Sequence, residues 1–308
     1  MVGLNSEEII QNFNRDMEIR GMTPESRYRY VWCLGNFARF LEARNKELLD
    51  VAKSDLRDYV EALKKRDVST KTVGLYLAAL SSFYDFVVFD EMLPANPVKA
   101  VRKRYLSSYK SDGEGHTHKI VSIDDAVRII NALVDIRDKA LIMLLFKTGI
   151  RRRELIALDV DDINWQERSI LLKPTKKRSN RTVFFDDETA AMLSRWLKAR
   201  KMRAKEGETA LFLGTKGRLG SGGINKIIRK AAIRSGLHDS HSSVMEDHFS
   251  AHCCRHWFTT HLIRAGMPRD FVKELRGDAR HEAIDIYNHI DKKELKESYL
   301  AHIPQLGI

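Results

Sequence analysis

The sequence predicts a mainly α protein in two parts, with a small β-hairpin or sheet confined to the second part (α+β). Three observations carry this. Amphipathic, capped segments with no strand pattern fill the chain as far as Tyr105. A stretch without apolar period follows, and beyond Asn164 two short runs, SILLK and TVFFD, flank a polar loop. At 308 residues the chain suits two domains that each bury a core.

Ser6, followed by Glu7 and Glu8, opens a first helix with Ile9, Ile10, Phe13 and Met17 on its apolar side. Thr23-Pro24 starts a second, which turns Tyr28, Val31, Trp32, Leu34 and Phe37 largely inward and leaves Arg27, Arg29, Arg39 and Arg44 outside. Ser54 is the expected cap of a third helix, and Ser69-Thr70 opens a fourth that is apolar on most faces. The expectation is a four-helix bundle over residues 1–105, an exposed linker over 106–118 rich in Ser, Gly and Asp, and a second domain over 119–308.

In that domain Ser122 and Asp125 form a capping pair for a helix through Val134. DIRDKALIMLLFK is a buried helix ended by Gly149, and Arg151 starts the next, with Glu154 one turn on to orient its guanidinium. SILLK and TVFFD are strands with the lysines of KPTKKRSNR at their tip. DETAAMLSRWLKARKMR is an amphipathic helix, Leu211 to Leu213 a short strand, and Gly217 to Gly223 a turn feeding a basic helix through Arg234. Trp257, Phe258, Leu262 and Ile263 are the core face of the helix that holds His252, and His261 reads as packing. The last segment, KKELKESYLAHIPQLGI, is a short helix with an apolar tail that must dock on something.

The formal charge is +11. Up to Tyr105 there are 17 basic and 15 acidic residues, leaving 36 and 27 of the 53 and 42 for the rest, so the second part carries +9 and the first +2. Such an excess points to a polyanionic partner and salt-dependent binding. Three cysteines, two of them adjacent, make neither a disulfide framework nor metal-ligand spacing. No basic-then-apolar leader stands at the N-terminus, and no apolar run is expected to reach bilayer length, so the expectation is a soluble protein of a reducing cytoplasm, away from membranes.

His252 and Arg255 lie three apart, share a helix face and suit the gripping of one anion, and Tyr287 follows. With Arg151, two arginines flank one site, the arrangement that covalent attack on a phosphodiester requires. Tyr299 competes for the role of nucleophile. Four motifs stand in order: Thr148-Gly149-Ile150-Arg151 with Glu154 and Leu155, KPTKKRSNRTV, His252 to Arg255, and Leu275-Arg276-Gly277-Asp278 with Tyr287 nine beyond Asp278. Together they resemble the tyrosine recombinase (phage integrase and Xer) family over nearly the whole chain, and Gly-Asp looks like a variant associated with its archaeal members.

The resemblance implies a two-domain DNA clamp, a helical core-binding (SAM-like) bundle followed by the catalytic domain. It implies Tyr287 as nucleophile, Arg151 and Arg255 as transition-state cations with Glu154 in support, and His252 for hydrogen bonding of the scissile phosphate or proton transfer. Lys176, five residues before Arg181, is the implied general acid, with Lys177 and Lys173 as alternatives. Asp278 stands where the family has a donor; it is expected to brace the site, Arg280 or His281 supplying any missing donor. Arg27, Arg29, Lys71, Arg102, Lys103 and Arg104, and in the hairpin Lys173, Lys177 and Arg178, are the implied DNA contacts. The implied partner is double-stranded DNA with specific recombination sites, joined by a homo-tetramer through a 3′-phosphotyrosine and a Holliday junction, in the cytoplasm with the nucleoid. No metal or other cofactor is expected, and the C-terminal tail is expected to couple protomers. Two further classes stay open: DNA relaxation like that of a type IB topoisomerase, and a non-catalytic DNA-binding relative.

Overall fold

The computed structural model describes residues 6–106, 121–174, 181–242, 247–278 and 290–308. The chain divides into two compact units, Met1–Glu114 and Gly115–Ile308, each with its own apolar core. Of the expected linker, Leu106 ends a helix, and the remainder lies outside the described residues.

In the first unit α1 spans Ser6–Ile19, α2 Pro24–Glu42, α3 Lys53–Lys65 and α4 Thr70–Phe89. Thr23 Oγ1 accepts from the Ser26 amide and Ser69 Oγ from the Thr72 amide, both at 3.3 Å, so local side-chain acceptors set these two starts. Ser54 does not cap α3. It lies inside the first turn, and the start is closed by Asp55, which accepts from the Ala52 amide at 2.9 Å and pairs with Lys46 at 2.7 Å. A carboxylate at the third helical position does this work and also suits the positive end of the helix.

The four-helix expectation is corrected by a fifth, α5 (Val98–Leu106). Its start signal is Asn96-Pro97, where Asn96 Oδ1 accepts from the Val98 amide at 2.9 Å. Val98 and Val101 face the core, while Arg102, Lys103 and Arg104 are exposed. Helix α4 also corrects an expectation: with 20 residues and an 18-residue window of mean hydropathy 1.5, it is long and apolar enough to cross a bilayer. Here Leu77, Leu80, Phe83, Tyr84 and Val87 spend that apolarity on the bundle core, with Phe83 edge-on to Phe13 at 5.4 Å.

In the second unit α6 (Ile123–Asn131) begins with the reciprocal Ser122–Asp125 bonds, at 3.0 and 3.1 Å, and stops before the expected Val134, which is exposed. Helix α7 (Ile136–Thr148) is buried at every residue from Ala140 onward. It ends at Gly149, left-handed at φ 59°, where a Cβ would stand 2.4 Å from the Phe258 ring. Glycine is therefore required twice over, by backbone and by space. Arg151 then caps α8 (Arg152–Ala157).

The hairpin strands are β2 (Ser169–Leu172) and β3 (Arg181–Phe184), antiparallel with Leu172 opposite Arg181; an additional β1 (Ile163–Asn164) pairs with β2. After α9 (Asp187–Lys201) comes the two-stranded pair β4 (Leu213–Gly214) and β5 (Gly217–Arg218), starting later than expected because the Leu211 amide is already bonded to Leu158 O. Helix α10 (Ser221–Arg234) takes in Gly222 and Gly223, which the expectation assigned to the turn. Helices α11 (Ala251–Arg264), α12 (Arg269–Arg276) and α13 (Lys292–His302) complete the unit. His261 packs, as expected, on Trp257, and its ring nitrogen meets Val121 O at 3.1 Å.

The tail was expected to couple protomers; in this single chain it docks on its own domain. Lys147, fully buried on α7, donates to Asp186 at 2.5 Å, to Glu188 at 2.6 Å and to Pro304 O at 2.6 Å, and Glu188 in turn accepts from the Leu306 amide at 2.8 Å. A buried ammonium needs all its protons accepted, and the tail carbonyl supplies the third acceptor.

Candidate active site

Arg151 stands at the N-cap position of α8 and Arg255 lies on α11, and the end of α12 joins them. The Arg276 carbonyl accepts from Arg151 Nη1 at 3.0 Å and from Arg255 Nη2 at 2.8 Å. One residue past Gly277, Asp278 Oδ1 accepts from Arg255 Nη2 at 3.1 Å and from Arg151 Nη2 at 3.4 Å. Arg276 Nε lies 3.2 Å from the other Asp278 oxygen as an ion pair without hydrogen-bond geometry. Two guanidiniums are thus held on one acceptor edge, with one carboxylate reaching both.

Arg255 is 4% exposed, and its Nη1 donates to Gly149 O at 2.7 Å. Burial first, then the charges of Arg151 and Arg276, push its pKa down to about 9, with Asp278 opposing. It remains a cation at neutral pH. Arg151 is the more open of the two, its side chain 34% exposed.

Glu154 works as expected and more. Its Oε2 accepts from the Arg151 amide at 2.6 Å and its Oε1 from Arg151 Nη1 at 3.3 Å, so it fixes both the backbone and the side chain of that arginine. Its carboxylate also takes a two-pronged grip from Arg181, Nη1 to Oε1 at 2.6 Å and Nη2 to Oε2 at 2.8 Å. Burial works to raise the Glu154 pKa, but the hydrogen bonds and charge of Arg181, with the Arg151 amide, hold it below the ordinary carboxylate value. Sequence reasoning used Arg181 only to count back to Lys176; its position opposite Leu172, at the hairpin base, was the available signal.

His252 sits in the first turn of α11, one turn before Arg255, exposed, its amide capped by Ser250 Oγ at 3.3 Å. Its ring meets that of His256 edge-on at 4.5 Å, a neighbour the sequence reading did not single out.

Of the hairpin candidates, Lys176, Lys177 and Arg178 lie outside the described residues, as do Tyr287, Arg280 and His281. Lys173 is placed: it pairs with Asp159 and stands 3.6 Å from Asp162. The Asp159 bond holds its pKa above the ordinary lysine value, which makes it a weaker acid and engages its charge within the protein. Tyr299 is fully buried, and its hydroxyl donates to Lys147 O at 2.9 Å. Burial raises its pKa well above the ordinary value, so Tyr299 is a packing residue.

Among the DNA-contact candidates of the first unit, Arg29, Lys71, Arg102, Lys103 and Arg104 are exposed. Arg27 differs: it is half-buried and paired with Glu18 at 2.8 Å.

Comparison with known proteins places these features in context. Residues 119–294 match the description Phage integrase family, and residues 9–92 match Phage integrase, N-terminal SAM-like domain. Tyrosine recombinase XerD of Oceanobacillus iheyensis is 26% identical over 97% of this chain and 99% of its own. Tyrosine recombinase XerC of Bacillus subtilis is 27% identical over 90% and 89%. In fold, the chain is similar to a lambda integrase dimer bound to a COC' core site, with TM-score 0.70 and 15% identity over 94% of this chain and 80% of that one. It is also similar to the Tn1549 transposon integrase in complex with transposon right end DNA, with TM-score 0.68 and 18% identity over 91% and 97%.

Proposed function

Because this chain belongs to the phage integrase family, and with it is a site-specific tyrosine recombinase that cleaves and rejoins DNA, we propose that its chemistry runs through Tyr287, with Arg151, Arg255 and His252 at the scissile phosphate. The Tyr287 hydroxyl passes its proton to His252, and its oxygen attacks phosphorus. A 3′-phosphotyrosine bond forms, the bond to the 5′-oxygen breaks, and Lys176 protonates that oxygen as it leaves. Attack by the 5′-hydroxyl of a second duplex reverses the step, and no bond energy is lost between the two. Arg151 and Arg255 stabilise the charge that grows on the phosphate oxygens, for which a permanently charged, forked donor suits better than an ammonium.

The single observation that carries this reading is the pair of guanidiniums held on the Arg276 carbonyl and reached by one carboxylate. An anion able to take the place of Asp278 would meet both arginines at once, and a phosphodiester is such an anion. The proposed substrate is double-stranded DNA with specific recombination sites, brought together by a homo-tetramer. That proposal rests on the DNA-bound relatives named by the comparisons and on the +11 charge. The SAM-like unit holds the duplex with Arg29, Lys71, Arg102, Lys103 and Arg104, and the protein works in the cytoplasm with the nucleoid.

A suicide substrate nicked beside the cleavage site tests the nucleophile. Wild type and Tyr299→Phe should yield a denaturant-stable protein–DNA adduct, and Tyr287→Phe should yield none. An adduct that persists in Tyr287→Phe would overturn the assignment.

A further inference from the structure

We propose that Arg181 is a positioning residue that sets Arg151 through Glu154, acting from the strand that carries the lysine hairpin; the inference rests on the reading of Arg151 above. Arg181 does not belong among the DNA contacts. Its side chain is only 9% exposed, and each of its three nitrogens donates inside the protein. Two go to Glu154, at 2.6 and 2.8 Å, and Nε goes to Leu275 O at 3.2 Å.

The consequence follows from how Glu154 is used. Each of its oxygens accepts once from Arg181 and once from Arg151: Oε1 from both Nη1 atoms, Oε2 from Arg181 Nη2 and the Arg151 amide. The carboxylate plane that orients Arg151 is therefore the plane set by the Arg181 fork. A lysine in place of Arg181 would supply a point charge and no plane.

The end of α12 is shaped around the same guanidinium. Gly277 is left-handed, and a Cβ there would come within 2.7 Å of Arg181 Cδ and 2.8 Å of its Nε and Nη1. The residues on either side of Gly277 are the ones that hold the arginine pair, Arg276 by its carbonyl and Asp278 by its carboxylate. One side chain at the base of the hairpin thus ties β3, α8 and the end of α12. A shift of β3 therefore reaches Arg151 through Glu154.

The test measures adduct formation on two suicide substrates, one with an ordinary scissile phosphodiester and one with a neutral methylphosphonate. Arg181→Lys keeps a cation against buried Glu154, so the fold should survive, with melting within a few degrees of wild type. On the phosphodiester its adduct should form about ten- to a hundredfold more slowly, the cost of a misplaced catalytic group, while DNA affinity changes little. Glu154→Gln should slow the reaction comparably, and the double variant should be no slower than the slower single variant. On the methylphosphonate, which is uncharged in the ground state and offers the two arginines one nonbridging oxygen instead of two, the Arg181→Lys deficit should shrink to a few-fold. Equal deficits on both substrates, or additive losses in the double variant, would show a merely structural role. A wild-type rate for Arg181→Lys, with the Tyr287 adduct intact, sinks the inference alone. Absence of an adduct from wild type on the phosphodiester sinks both this and the assignment of Tyr287.

Discussion

Asp278 accepts a hydrogen bond from Arg255 Nη2 at 3.1 Å, and with the Arg276 carbonyl it takes up both hydrogens of that nitrogen. If Arg255 serves the scissile phosphate as proposed, that phosphate must compete with Asp278 for its guanidinium. This relationship governs the first prediction.

Asp278→Asn keeps an acceptor oxygen facing the arginines and removes the negative charge that a phosphate must displace. DNA should bind more tightly in a filter or anisotropy titration, and adduct formation should stay within about tenfold of wild type, because the hydrogen bonds survive. Asp278→Ala, which lacks the acceptor, should be slower than Asp278→Asn. A hundredfold loss in Asp278→Asn would mean that the charge itself is needed in the reaction.

Arg151 and Arg255 should separate in a melting experiment although both are proposed to serve the transition state. Either change to alanine should cost on the order of a hundredfold or more in adduct formation, the usual effect of losing an oxyanion-type donor. Removing Arg255 also strands the buried Gly149 carbonyl and takes one of two donors from the Arg276 carbonyl, which costs about 1–3 kcal/mol, or several degrees in a domain of this size. Arg151→Ala, at a more open position, should melt close to wild type. Equal melting temperatures for the two variants would contradict the burial argument.

Truncation after Ile303 should destabilise the second unit even without DNA. It removes the carbonyl that completes Lys147 and the amides bound to Glu188, and it uncovers a site filled by buried Leu306. A loss of several degrees in a thermal scan of the isolated protein is expected, whereas a tail serving only contacts between protomers would leave that scan unchanged. Lys147→Met should be worse than truncation, since it leaves Asp186 and Glu188 without their cation, a loss of about 3–5 kcal/mol for a buried pair.

Acid should act through Asp159. Burial works to raise its pKa, but hydrogen bonds from Lys173, Arg218 and Thr209 hold it down to about 2. A carboxyl depressed in the folded state stabilises above its unfolded pKa, near 3.9 for aspartate, and that contribution fades as pH falls through the folded value. Asp159→Asn should therefore lose stability at neutral pH and show a flatter melting-temperature profile between about pH 4 and pH 2. The site is partly open to solvent, so the effect should be small and should shrink in high salt.

Much of this chain was legible in its order of residues because the deciding interactions are local. Thr23, Ser69 and Ser122 reach amides three residues on, Gly149 takes the left-handed turn that ends α7, and Glu154 reaches the amide of Arg151 from one turn away. The missed fifth helix had a local signal as well, in Asn96-Pro97. By itself the sequence determined the helical class, the hairpin and the family, and it singled out the two arginines that the structure brings together. Tertiary structure alone decided what else those arginines touch. Asp278 lies more than a hundred residues from Arg151, Tyr299 as far from the Lys147 carbonyl that buries its hydroxyl, and Pro304 as far from the ammonium that draws the tail in. Arg181 meets Glu154 across the packing of a strand on a helix. Such partners are chosen by which groups are left buried with protons to give once the core has closed, and no spacing along the chain records that choice.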